Sequence, residues 1–138
     1  MHKLIISVLI SLSFSVNSAE TDSILLKAAQ QYKSSGAEKF ILTLLEKSSF
    51  NDSTDVKQNV DALHSIENVF GKFEGVEKIK EVTLNKRSRI EYFTLDYQKA
   101  AAFGHIIYYT DKKGVEVTSQ MQFDLDPWQV LPQNLLSE

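Results

Sequence analysis

The apolar residues of this chain change their spacing once, near Gly75, and that change constrains the fold more than any other feature. Before it they recur every three or four positions, the period of a helix face; after it they alternate, the period of a strand. A helical first half followed by a β-rich second half predicts an α+β domain. Three N-terminal helices would pack on one face of a curved antiparallel β-meander.

The helical half divides at its polar breaks. Ile24, Leu25, Ala28, Ala29 and Tyr32 predict a helix over residues 22–34, broken by Ser34-Ser35-Gly36. Ser35 with Glu38 matches a capping box for a second helix, which carries Phe40, Ile41, Leu44 and Leu45 to about Lys47. Ser53 or Thr54 is expected to cap a third helix bearing Val56, Val60, Leu63, Ile66 and Phe70, with Gly71 as its natural end. In the second half, strands are expected over residues 79–85, 88–98, 102–110 and 115–125. The last of these alternates cleanly, with Val115, Val117, Met121, Phe123 and Leu125 on one side. The segment TDKKG reads as a turn, Gly114 supplying a permissive backbone.

The beginning of the chain has a different character. A short basic start, an apolar run from Leu4 to Phe14 and the small residues Ser18-Ala19 have the layout of a secretory signal peptide, residues 1–19. That run falls short of the roughly 20 residues that span a bilayer. No later stretch is long and apolar enough to do so. The expected mature domain, residues 20–138, carries 14 basic and 18 acidic residues, a net charge of −4. A mildly acidic chain without a basic tail is a poor partner for nucleic acid. With no cysteine, its stability must come from an apolar core, and the expected compartment is the bacterial periplasm.

Well-marked chemistries are missing. His64 and His105 stand outside any ligand-spaced motif, so no metal site is expected. There is no GxSxG elbow, no glycine-rich phosphate loop and no cofactor motif. Acid–base chemistry remains, because histidine titrates nearest neutrality. If the Phe103/Ile107 side of the third strand is the inner one, His105 points inward. Strand parity then offers Tyr97, Tyr109 and Ser119 as companions around a small ligand. Tyr92 and Tyr108, read as sharing the outer side, are the candidate interface of a homodimer formed through the sheet. The mixed charges from Glu74 to Glu91 read as a solvated sheet edge, although Arg89 and Glu91 share the parity of Phe93. Trp128, bracketed by Pro127 and Pro132, is expected to cover one end of the core.

The stretch KRSRIEYFTLDYQKAAAFGHIIYYTDKKGVEVTSQMQFDLDPWQVLP, with VFGKFEGVEKI before it, resembles small secreted bacterial proteins of the nuclear-transport-factor-like, cystatin-like cone fold. The likeness lies in long paired strands, an aromatic-rich middle strand and the closing FDLDPWQVLP. It implies a cone whose open end holds a small ligand. Some members of that superfamily are isomerases, dehydratases or cyclases; others bind, dimerise or scaffold. No catalytic signature is matched residue by residue. The expectation is therefore a non-enzymatic periplasmic binding or interaction module. The alternatives are a small acid–base enzyme using His105 and Tyr97, and an envelope scaffold acting through the outer sheet face.

Overall fold

The computed structural model describes residues 23–137, so the expected signal peptide lies outside the described residues. The α+β expectation holds: helices come first and a four-stranded antiparallel sheet follows. Helix α1 spans Ile24–Ser35, α2 spans Ala37–Leu44 and α3 spans Ser53–Phe70. Strands β1 (Phe73–Thr83), β2 (Ser88–Tyr97), β3 (Ala101–Thr110) and β4 (Glu116–Asp124) pair in chain order. Among the described residues no helix is long and apolar enough to cross a membrane.

The helix ends depart in detail from the sequence reading. Ser23 caps α1 through its hydroxyl, which accepts from the Leu26 amide at 3.2 Å. The Ser35–Glu38 capping box does not form; Gly36, at φ +96°, serves as both the end of α1 and the start of α2. At α3 the cap is Asp52, one residue before the expected Ser53. One carboxylate oxygen of Asp52 accepts from both Thr54 and Asp55 amides at 2.9 Å, which a single hydroxyl at Ser53 could not reach in the same way. Gly71 ends α3 as expected. It holds φ +90°, and a Cβ there would come within 2.5 Å of the Gln98 side chain.

The helices cover one face of the sheet. Leu25, Ala28, Phe40, Ile41, Leu44 and Leu63 pack against Phe93, Leu95, Ala102 and Ile106 in a single core. Each large side chain buried there contributes roughly 1.5–3 kcal/mol. This assigns the inner face of β3 to Ala102, Gly104, Ile106 and Tyr108, not to Phe103 and Ile107. The reason is volume. A Cβ on Gly104 would lie 2.6 Å from the Phe93 ring and 3.0 Å from that of Phe123. Two aromatic rings already fill the space over β3, so the strand presents its smallest residues there and its larger ones outward.

Bulges decide the rest. Between the pairs Lys78↔Phe93 and Lys80↔Tyr92, strand β1 holds Ile79 as an extra residue. Between Tyr108↔Thr118 and Ile107↔Gln120, strand β4 holds Ser119 as an extra residue. An inserted residue flips the parity of everything beyond it. The clean alternation expected for residues 115–125 is therefore broken. Met121 and Phe123 face the helices, but so do Thr118 and Glu116, while Val117 sits opposite Tyr109 on the outer side. Both bulges lie on edge strands, where they also blunt edge-to-edge association.

After β4 the chain returns across the outer face. Asp126 caps a short 3₁₀ turn, Pro127–Gln129, by accepting from the Trp128 amide at 3.0 Å. Val130 and Leu131 are buried outside the helix-side core, whereas Trp128 is 59% exposed. The aliphatic pair, not the tryptophan, does the covering.

Candidate functional site

The inward row of β2 reads Arg89, Glu91, Phe93, Leu95, Tyr97, so one end of the helix–sheet interface is charged and the other aromatic. At the charged end a cavity of about 500 Å³ opens between the first turn of α1 and the sheet. Leu25, Leu26 and Val76 give it an apolar wall; Lys78, Glu81, Arg89, Glu91 and Glu116 give it a charged one.

Arg89 organises the charges. Its Nε and Nη2 donate to the two carboxylate oxygens of Glu116 at 2.9 and 2.6 Å. Nη1 donates to Glu91 Oε2 at 3.0 Å and lies 3.4 Å from Glu81 Oε2. Lys78 Nζ donates to that same Glu81 oxygen at 2.6 Å. The guanidinium lies over the ring of Tyr108, 4.1 Å from its centroid. Glu81 and Glu116 can converge on Arg89 only because the bulges at Ile79 and Ser119 turn them inward.

These contacts set the ionisation of the group. The hydrogen bond from Lys78, aided by the charge of Arg89, holds the Glu81 carboxyl below the usual carboxylate range and raises the Lys78 ammonium. The Glu116 hydrogen bonds raise Arg89 still further above its ordinary value. Burial pushes up the Tyr108 hydroxyl, and the negative charge of Glu91 adds to it. That hydroxyl is buried and has no hydrogen-bond partner among the described residues. The Leu25 amide, on the cavity wall, approaches it without completing a hydrogen bond.

The side chain of Glu91 is only 4% exposed, against 21% for Arg89 and 31% for Glu116. Taking a carboxylate out of water costs several kcal/mol, which one good ion pair offsets only in part. With three carboxylates against two cations, the cavity carries one net negative charge.

The residues expected to form a site from parity do not come together. Tyr97 is buried at the aromatic end. Its hydroxyl is 3.1 Å from that of Tyr32, which in turn donates to Glu67, and Phe73 stacks on Tyr32 with centroids 3.9 Å apart. Burial raises the Tyr97 hydroxyl to about 12. His105 is on the outer face. Its Nδ1 lies 2.9 Å from the Val130 carbonyl, which only accepts, so that nitrogen carries the proton; the ring meets Tyr92 edge-on. The sheet separates His105 from Tyr97, and no acid–base pair forms between them. Tyr109 is on the outer face, 37% exposed, beneath the Arg87 guanidinium. Ser119 is the β4 bulge residue, donating to the Ile107 carbonyl at 3.3 Å. It lines a smaller cavity of about 170 Å³ with Leu45, Phe50 and Asn59. Tyr92 and Tyr108 do not share a face either: Tyr92 is outward, and Tyr108 is fully buried under Arg89.

The Arg89 cluster was present in the sequence as a weak signal, two charges at the inward parity of a strand. The run around it read as a solvated edge, and nothing marked Glu81 or Glu116 as inward. Among the described residues no three histidine, aspartate or glutamate side chains are grouped to hold a metal ion. Comparison of the chain with protein families, with curated proteins and with solved structures finds no match.

Proposed function

We propose that this chain is a soluble periplasmic binding module without enzymatic activity, exported through the leader at residues 1–19. In this reading it holds a small polar ligand in the cavity between α1 and the sheet. The fold behind it is a cystatin-like cone, with the Arg89 end as its mouth.

One observation carries the reading. Glu91, the one charged side chain among the buried described residues, lines a cavity of about 500 Å³ between α1 and the sheet. Buried ion networks are poor sources of stability and are often replaced by apolar side chains without loss. Convergent charged groups in an apolar-walled cleft are the usual form of a ligand site.

Thermal unfolding across a panel of small polar compounds tests it. A ligand that binds the folded state stabilises it by about 2.7 kcal/mol at roughly a hundredfold excess over Kd. Such a ligand should raise the Tm of the wild type and lose its effect in Glu91→Gln. A panel without any response would remove the reading.

A homodimer formed through the outer sheet face is the second reading. It is favoured by the register pair Ile90↔Ile107 and by the exposed Tyr109 on that face. Light scattering should then give a dimer that Tyr109→Glu dissociates; a monomeric wild type would end it.

A further inference from the structure

We infer that the ligand of the Arg89 cavity is an organic cation with at least two N–H donors, a guanidinium or a primary ammonium, carried on a short apolar tail. This rests on the cavity being a binding site and names what it takes.

The first ground is charge. Glu81, Glu91 and Glu116 face Lys78 and Arg89, leaving one carboxylate in excess. The second is the distribution of free hydrogen-bonding capacity. Both oxygens of Glu116 are taken by Arg89. Glu91 and Glu81 each use Oε2 alone, so each keeps Oε1 without a protein partner among the described residues. The cavity therefore offers two open acceptors and surplus negative charge. Ammonium and guanidinium groups are built to donate to such a pair.

An anion meets the opposite situation. Arg89 is bidentate on Glu116, bonded to Glu91 and stacked on Tyr108, so no fork of its guanidinium is open. Lys78 is held by Glu81. A bound carboxylate or phosphate would add to the excess negative charge of Glu81, Glu91 and Glu116. Among the described residues no three histidine, aspartate or glutamate side chains are grouped to hold a metal ion. The Tyr108 hydroxyl, buried behind Arg89, has no hydrogen-bond partner among the described residues. Leu25, Leu26 and Val76 supply the apolar wall against which a short tail would lie.

Four probes with one tail and different heads decide it: butylguanidinium, butylammonium, butyrate and butanol, titrated calorimetrically into the protein. The expected result is binding of one or both cations, with butyrate and butanol silent. Glu91→Gln should weaken the cation at least tenfold, because it removes the charge that strengthens the hydrogen bond. Glu81→Gln, at an exposed position where folding is not at risk, should weaken it in the same direction. Butyrate binding in place of the cations would overturn the cation and leave a binding site. Cation binding unchanged in both variants would overturn the cavity as its location. Silence from all four would overturn the inference, and silence across the wider panel of polar compounds as well would overturn the binding reading itself.

Discussion

Replacing Arg89 with leucine separates what the charge network does for the fold from what it does for a ligand. Arg89 is the sole ion-pair partner of Glu91 among the described residues, and the Glu91 side chain is 4% exposed. Removing the guanidinium leaves that carboxylate buried and unpaired, at a cost of roughly 3–5 kcal/mol. The pairs with Glu81 and Glu116, both about a third exposed, add on the order of 0–1 kcal/mol each. The stacking on Tyr108 contributes about 0.5–2 kcal/mol. A loss near 4 kcal/mol is the conservative expectation, worth roughly 10–20 °C in Tm for a domain of this size. The double variant Arg89→Leu/Glu91→Leu removes both charges and supplies apolar volume, so it should recover most of the loss. It should also fail to bind any polar ligand. Urea unfolding followed by circular dichroism measures all three proteins on one scale. A single variant that loses less than about 1 kcal/mol, or a double variant as unstable as the single, would refute the description of Glu91 as a buried charge held by Arg89.

Three further outcomes follow from the same structure. Gly104→Ala should cost about 1–3 kcal/mol, because the new methyl meets the Phe93 and Phe123 rings; Phe93→Leu in the same chain should be less damaging than it is alone, as a double-mutant cycle would measure. Stability should fall as pH rises above 10. Tyr97 ionises at about 12 in the folded state against about 10 unfolded, so its contribution of about 2–3 kcal/mol is complete below pH 10 and lost by pH 12. Tyr32 and Tyr108 are shifted in the same direction by burial, so tyrosinate absorbance should show three of the five tyrosines ionising only as the fold opens. His105→Ala should leave the helix-side core intact and lose only about 0.5–1.5 kcal/mol, while limited proteolysis of the segment after Asp124 accelerates as the bond to Val130 is removed; a variant that unfolds outright would contradict the outer placement of His105.

The parts of the fold that local chemistry writes were legible. The apolar residues of α1 and α3, the end of α3 at Gly71 and the turn at Asp111–Gly114 could all be read from periodicity and from residue type. The inward faces could not. Ala102 and Gly104 gave β3 an inner side that looked less apolar than its outer one, since the volume there is supplied by Phe93 and Phe123 from neighbouring strands. The bulges at Ile79 and Ser119 carry no residue signature, yet each reverses which side chains face the helices. The candidate site depends on both, because Glu81 and Glu116 meet Arg89 only through them. His105 stands out as the lone histidine of an aromatic strand; its partner, the carbonyl of Val130, lies 25 residues away in a segment whose path depends on the assembled sheet.

The most direct measurement is an NMR titration of the isotopically labelled protein with butylguanidinium, following backbone amides. Saturable shifts should gather at Ser23, Leu25, Leu26, Val76, Lys78 and Glu81, with the amides around His105 and Val130 unmoved. Shifts centred on the outer face of the sheet, or no saturable shift at all, would contradict a cation site in the Arg89 cavity.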